Sequence, residues 1–278
     1  MSNGKTIAGV VLTLNEENDL ARALKSLAWC DELLVVDSGS TDRTQQVAEQ
    51  CGARFVQHLQ SAPFLITEQR NWALDNAGLE SDWCLFLDAD EEVGSKLASQ
   101  IRLSICSPLT PHAYDLTPRY WFLGKWLKFT QGYPNWHPRL VLRGTVYFQG
   151  GVWESFEPGK RVGRLFHPYE HYAFSKGFDD WLERHRRYAS WDAARIVDFL
   201  LSGVPTSLAT ERSRHLRLLM SRFWFLRPPL RFMQKYVLQL GFLEGWQGLL
   251  FSLMMSFYDF MTVIKVIEML RRRRDLPL

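Results

Sequence analysis

An α/β fold, built on a mostly parallel sheet with helices on both faces, is what this 278-residue sequence predicts. Three observations carry the prediction. Short apolar runs alternate with helix-period stretches through the first hundred residues, as in strand–helix–strand repeats. The spacing between runs leaves room for one helical crossover each time. Three of the runs end in polar turns, Asn15-Glu16-Glu17, Asp37-Ser38-Gly39-Ser40 and Asp88-Ala89-Asp90. Parallel sheets bind ligands beyond the carboxyl ends of their strands, so these turns should converge on one crevice.

The elements follow in order. Thr6–Leu14 is a β-branched run that predicts the first strand. Ala21, Leu24, Leu27 and Ala28 then recur at helical spacing. Glu32–Asp37 predicts a second strand. Thr41 opens a helix with Thr44, Val47, Ala48 and Cys51 on one side and Gly52 as its stop, Ser40 or Thr41 serving as cap. Ala53–His58 reads as a third strand, Glu68–Ala77 as a helix, and Asp82–Leu87 as a fourth strand that runs into Asp88-Ala89-Asp90. From Pro108 to Leu165 short β-like stretches are broken by Gly, Pro and Trp, and are expected as loops and short strands laid over the crevice. Residues 175–200 return to helical spacing, with Phe178, Leu182, His185, Ala189 and Ile196 near one face. From about Thr206 the chain reads as basic, apolar helix, broken at Pro228-Pro229 and at Gly241, Gly245 and Gly248. Two domains are expected, at 1–175 and 176–278.

Composition narrows the class. Hydrophobic residues make up 46%, which supports a sizeable core and excludes a disordered chain. The net charge of +3 conceals an asymmetry: residues 1–200 carry 25 acids against 21 bases, residues 201–278 carry 12 bases against 5 acids. The basic residues Arg217, Arg222, Arg227, Arg231 and Lys235 alternate with Leu, Phe, Trp and Met, and Arg271–Arg274 follow. That mixture suits an anionic membrane surface better than nucleic acid. Leu249–Ile264 is strongly apolar but contains Asp259 and falls short of the roughly 20 residues of a span, so an interfacial or re-entrant segment is expected. The four cysteines form no CxxC pair, which argues against a disulfide framework or zinc site. The amino-terminal residues lack the apolar core of a signal peptide, so a cytoplasmic location is expected.

Asp88 and Asp90 follow an otherwise apolar strand. Two adjacent carboxylates repel unless a cation or water screens them; a divalent metal would do so and could bind a diphosphate. The bland alternative is an acidic turn capping the next helix, since Glu91-Glu92 follow. Asp37 can accept hydrogen bonds from a base N–H or a ribose hydroxyl. Arg70 could pair with a phosphate or pack on a base.

Taken together, LTLNEE at 12–17, VVDSGSTD at 35–42, QRNWAL at 69–74 and LFLDADE at 85–91 resemble the family 2 glycosyltransferases, inverting enzymes with the GT-A (Rossmann-like) fold. GYPNWHPRLVLR, GGVWES and EHYAFSKGFDDWLERHRRYASWDAAR look like the subgroup that builds lipopolysaccharide core. The resemblance implies residue roles. Thr13, Asn15 and Glu16 would form a nucleotide-contacting loop, with Asp37 at the base or ribose; Ser38 stands where the family often has a second Asp. Arg70 would lie near the base and phosphates, and Arg139, with His137, in a loop covering the donor. Asp88 and Asp90 would hold a divalent metal, Mg²⁺ or Mn²⁺, with His171 as third ligand or diphosphate contact. Glu154 would be the general base, in Val-Trp-Glu where the subgroup usually shows Val-His-Glu. The implied reaction moves a sugar from a nucleotide-diphospho-sugar, a UDP-sugar by expectation, to a hydroxyl of a lipid-linked cell-envelope glycan such as lipopolysaccharide core, at the cytoplasmic face of the membrane. The protein would be peripheral there and would not bind nucleic acid. Other readings are a polyprenyl-phosphate sugar transferase, a nucleotidyltransferase, or a nucleotide-sugar-binding protein without catalysis.

Overall fold

In a computed structural model, residues 4–61, 64–150, 154–202 and 223–278 are described. Val152, Trp153, Arg217 and Arg222, singled out above, lie outside them. The chain forms two compact units, one of residues 1–121 and 133–175, the other of residues 122–132 and 176–278. The second unit thus takes in a short excursion, 122–132, from the middle of the expected first domain.

The first unit opens with β1 (Ile7–Thr13), α1 (Leu20–Ser26), β2 (Glu32–Asp37), α2 (Thr44–Gln50), β3 (Arg54–Gln57), α3 (Ile66–Asn76) and β4 (Trp83–Asp88). β5 (Glu91–Glu92), α4 (Ser95–Ile105) and β6 (Ala113–Phe122) follow; the pair Lys125–Trp126, β7, falls in the excursion that belongs to the second unit. Then come β8 (His137–Leu142), β9 (Phe148–Gln149), β10 (Ser155–Phe156) and β11 (Val162–His171). The main sheet runs β3-β2-β1-β4-β8-β6-β11-β5. Its first four strands are parallel, and β8 enters antiparallel to both β4 and β6. The α/β, mostly parallel sheet expected from the sequence is therefore present.

Strand residues alternate between two apolar layers because successive side chains point to opposite faces. Ile7, Val11, Val35, Leu85 and Leu87 pack with Leu20, Leu24, Ala48, Leu97 and Ile101 of α1, α2 and α4. Ala8, Val10, Val36 and Phe86 pack on the other side with Ala73 and Leu74 of α3. Each of the Val, Leu, Ile and Phe side chains among these, taken out of water, contributes about 1.5–3 kcal/mol.

Four expectations need correction. The buried stripe of α1 is Leu20, Ala23, Leu24 and Leu27; Ala28 is exposed. α2 starts at Thr44, and its first amide is taken by Asp42, 3.0 Å away, so neither Ser40 nor Thr41 caps it. The longer strands of the 108–165 segment are not laid over the crevice: β6, β8 and β11 join the sheet itself, where apolar residues such as Leu140–Val141 pair with β4. In the helix over 175–200 the buried residues are Trp181, Ala189, Ala193, Ile196 and Val197, and Phe178 points to solvent.

The second unit holds α5 (Gly177–Ser202), α6 (Arg227–Phe232), a wider-wound turn over Met233–Leu238, a tight turn at Gly241–Glu244, and α7 (Gly245–Arg272). Ala193, Ile196 and Val197 of α5 pack on Val266 of α7. Asp259 is buried in α7 and pairs with Arg227 at 2.8 Å and Arg231 at 2.7 Å. The Glu244 carboxylate accepts the amides of Phe129 and Thr130, at 2.6 and 3.2 Å, and the Thr130 hydroxyl at 2.6 Å. α7 extends beyond the apolar run at both ends. Among the described residues, Gly241–Arg272 is one helical stretch long and apolar enough to cross a membrane, its most apolar 18-residue window having a mean hydropathy of 1.6.

Gly248 sets how closely the Gly241–Glu244 turn approaches α7. A Cβ there would run into the Gly241 carbonyl oxygen and lie 2.9 Å from the Glu244 Cβ. Gly248→Ala should therefore destabilise the helical unit by about 1–3 kcal/mol, as overpacking does. A lowered urea midpoint on a tryptophan-fluorescence unfolding curve is the expected result.

Candidate active site

The crevice forms where β1, β2 and β4 end together. Their register sets Thr13 opposite Asp37 and Leu12 opposite Asp88, so the three turns leave the sheet at one level. Asp37 is fully buried and organises two of them. Its carboxylate accepts the Thr13 hydroxyl at 2.8 Å, the Gly39 and Ser40 amides at 2.9 and 2.8 Å, the Ser40 hydroxyl at 2.5 Å and the Gln57 amide at 3.2 Å. Burial alone would raise its pKa; the hydrogen bonds from Ser40, Thr13 and Gln57 outweigh it and hold the carboxyl below the usual carboxylate range. Asn15 takes a left-handed conformation (φ 56°), an arrangement Asn tolerates better than most residues. Its amide donates to Ser40 Oγ at 2.7 Å and its side-chain oxygen accepts the Thr41 amide at 2.8 Å. The Glu16 amide donates to Thr44 Oγ1 at 2.8 Å. Thr13, Asn15, Glu16 and Asp37 thus form one hydrogen-bonded double loop.

A charged cluster lies beside it. Arg70, on α3, is wholly buried and donates to Asp88 Oδ1 at 3.3 Å and to Glu154 Oε2. The helix is pinned in place by the next residue: Asn71 exchanges two hydrogen bonds of 2.9 Å with the backbone of Phe148. Arg139 arrives from β8, a sheet strand and not the donor-covering loop expected for it and His137. The pairing of Leu85 with Leu140 carries it to the end of β4. There it donates to Glu91 Oε1 at 2.7 Å and Asp88 Oδ2 at 3.2 Å, and comes within 3.8 Å of Glu154. His171 arrives because β11 pairs with β5, His171 opposite Glu91. Its Nε2 lies 3.5 Å from Asp90 and its Nδ1 3.6 Å from Glu91.

The electrostatics follow from this packing. Burial would raise the Asp88 carboxyl, but Arg139 and then Arg70 outweigh it and hold the group below its ordinary value. Glu91 goes the other way: burial pushes it up despite Arg139. Asp90, Glu91 and Asp88 overcome the effect of burial on His171 and raise its pKa. Burial, reinforced by the neighbouring Arg139 and His171, pushes His137 down to about 3, which leaves it neutral; Tyr120 lies 3.4 Å from its Nε2.

The expected metal set is only partly assembled. Asp90 and His171 stand together, but Asp88 is turned to the two guanidinium groups. Among the described residues, no three His, Cys, Asp or Glu side chains form a ready cage for a metal ion. The donor set nevertheless fits a divalent cation that is completed by substrate. Asp90 and His171 stand side by side at the end of the strand, an oxygen and a nitrogen donor 3.5 Å apart. Mg²⁺ is commonly held by one or two carboxylates together with phosphate oxygens rather than by an all-protein cage.

Glu91 is the residue that sequence reasoning missed. In the sequence it reads as part of a capping turn, yet it is fully buried and also accepts the Asp88 amide at 3.0 Å. A third acid directly behind an acidic pair was the available signal. Tyr169, buried with the Arg139 guanidinium 5.6 Å from its ring centroid, had no signal at all.

Comparison with known proteins finds relatives of the amino-terminal part and of the whole chain. Residues 10–102 match the family described as glycosyl transferase family 2. An uncharacterized glycosyltransferase of Rickettsia felis is 37% identical over 103 residues, 36% of this chain and 34% of that protein. The chain thus spans about a third of the length of the curated relatives of this group. The lipopolysaccharide core biosynthesis glycosyltransferase LpsC of Rhizobium meliloti is 22% identical over 271 residues, covering 94% of this chain and 92% of that one. A crystal structure of glucosyl-3-phosphoglycerate synthase from Mycobacterium tuberculosis with Mn²⁺, UDP and glucosyl-3-phosphoglycerate is 28% identical over 42% of this chain and 45% of its own, with a TM-score of 0.34.

The Asp37 loop makes a pH-dependent prediction. A carboxylate with a depressed pKa contributes stability that is present above the unfolded-state value and lost as pH falls through the folded-state value. Asp37→Asn should cost about 1–3 kcal/mol at pH 7, because the amide leaves donors unpaired. The gap from the wild type should shrink below the ordinary Asp value of 3.8. Chemical denaturation of both proteins at neutral and acid pH measures it.

Proposed function

The chain carries a glycosyl transferase family 2 domain, and on that premise we propose that it transfers a sugar from a nucleotide-diphospho-sugar, a UDP-sugar in this reading, to a hydroxyl of a lipid-linked cell-envelope glycan. One observation carries the proposal: Asp88, Asp90, His171, Glu154 and two arginines meet at the carboxyl end of β4, beside the Asn15 and Asp37 loops. That is where a parallel sheet receives a nucleotide. The full-length similarity to LpsC supports an acceptor of the lipopolysaccharide-core type.

In this reading the double loop receives the nucleoside, and the charged cluster meets the diphosphate and the reacting carbon. A divalent cation, Mg²⁺ or Mn²⁺, bound by Asp90 and His171 with Asp88, would supply positive charge against the departing diphosphate. Arg139 and Arg70 neutralise Asp88 and Glu154 and hold both carboxylates in place. Glu154 takes the proton of the acceptor hydroxyl as that oxygen attacks the anomeric carbon from the face opposite the leaving group. The nucleoside diphosphate leaves with the electrons of the broken bond. A single displacement inverts the anomeric centre, with no sugar–enzyme intermediate. The chemistry belongs to the first unit. The basic, apolar second unit serves attachment to the cytoplasmic face of a membrane, where a lipid-linked acceptor is held.

Glu154→Gln keeps the shape and its contact with Arg70 while removing the base. Transfer should fall by roughly 10²–10⁴-fold with donor affinity retained. Donor titration and single-turnover transfer read the two separately; a collapse of donor affinity would instead place Glu154 in the donor site. Asp90→Ala should abolish the Mn²⁺ or Mg²⁺ dependence of donor binding, as measured by calorimetry with and without chelator. Unchanged metal dependence would overturn the metal assignment.

A further inference from the structure

α7 has two unlike faces. One packs within the helical unit and buries Phe251, Ser252, Met254, Asp259, Thr262 and Val266. The other shows solvent a continuous apolar stripe: Leu250, Leu253, Phe257, Phe260, Ile264 and Ile267. These recur every three or four residues, which keeps them on one side of a helix. Their exposure runs from 37% at Leu250 to 50% at Phe260, and Trp246, at the amino-terminal end of the stripe, is 60% exposed. From Trp246 to Ile267 the stripe is about 32 Å long, at ~1.5 Å per residue. Asp259 is the sole charged residue between Gly245 and Ile264, and it lies on the buried face. One turn beyond the stripe, after Glu268, Met269 and Leu270, come Arg271–Arg274, all exposed, with Arg272 paired to Glu268 at 2.9 Å and Arg273 3.7 Å from Asp198.

We propose that this face of α7 lies lengthwise in the headgroup–acyl boundary of an anionic bilayer, parallel to the membrane plane. The inference deepens the attachment suggested above and rests on that reading only for its biological purpose. The occupant is a lipid surface because apolar stripe and arginine cluster lie one turn apart, a pairing that matches acyl chains and anionic headgroups at once. The orientation follows from what covers the other face. α5 packs along α7 and carries acids and arginines throughout, among them Asp180, Arg184, Asp192 and Asp198. α6 supplies Arg227 and Arg231 to the buried Asp259. A spanning α7 would draw those charged helices into hydrocarbon; an in-plane α7 leaves them in water. The length and hydropathy that would permit a span are thus used sideways.

The test uses the full chain and vesicles of phosphatidylcholine with or without phosphatidylglycerol. The wild type should float with anionic vesicles, and raised salt should reduce binding without abolishing it, because the arginine contribution is screened and the apolar one is not. Leu253→Glu with Phe257→Glu should lower the bound fraction at least about tenfold at every salt concentration. Changing Arg271–Arg274 to Gln should remove the salt dependence. Circular dichroism and donor hydrolysis in solution check that the fold and the first unit are intact. Depth is read separately. A bimane label on Leu250→Cys, Phe257→Cys or Ile264→Cys, with Cys30, Cys51 and Cys106 changed to Ser, is quenched by nitroxide lipids. Equal, shallow depth at all three supports the proposal. Deepest burial at position 257 with shallow ends would mean a span and overturn it. Absence of flotation, with a dimer that the double Glu variant dissociates, would assign the stripe to a second copy of the chain and also overturn it. Loss of donor hydrolysis in the wild type would undo the proposed activity and leave the membrane result standing.

Discussion

The site depends on the wholly buried guanidinium of Arg70. A charge removed from water must be compensated where it lies, or its burial costs several kcal/mol. Asp88 and Glu154 provide that compensation, one from the end of β4 and one from a segment more than sixty residues later. The same contacts therefore bring the proposed metal-side carboxylate and the proposed base to one point. Arg139 repeats the device from the opposite side through Asp88 and Glu91. Because the two arginines share Asp88, a change at one should be felt at the other, and single substitutions in this cluster will not add.

The Asp37 loop solves a different problem by similar means. A buried carboxylate with five hydrogen-bond donors is fully satisfied, so it holds the backbone of Gly39 and Ser40 in a fixed turn. The resemblance implied that Asp37 touches the base or ribose. Its burial gives it a prior task, which is to shape the surface on which a nucleoside would lie. Glu244 does comparable work in the helical unit, where its carboxylate fastens the 129–130 backbone. Asp259 fastens α6 to α7. In each case an acid that would read as functional in isolation is used to hold backbone or helix.

Much was legible in the order of residues. Strands β1, β2 and β4 and the three turns behind them are apolar runs ending in polar residues, and local pattern suffices to find them. The placement of Asn15, Asp37 and Asp88 at one level required only that the strands be parallel, which the crossover helices impose. The segment from 108 to 165 was not legible in this way. Its Gly, Pro and Trp residues look like loop signals, whereas β8 and β6 find their partners in strands far away along the chain. Local composition does not report an edge waiting to be paired.

By itself, then, the sequence determined the α/β class, the parallel half of the sheet, the acidic pair behind β4 and the basic, apolar character of the last third. These are properties of neighbours in the chain, written in periodicity and charge. Only the tertiary structure decided that Arg70 and Arg139 are buried and shared among acids, that Glu91 belongs to the cluster, and that His171 meets Asp90. The reason is register. His171 reaches the site because it pairs opposite Glu91, and Arg139 because Leu140 pairs with Leu85. A shift of one residue in either pairing would turn those side chains to the other face of the sheet. The two faces of α7 divide in the same manner: its apolar content is plain from the sequence, but which stripe stays uncovered is settled by the charged helices that pack against the other side.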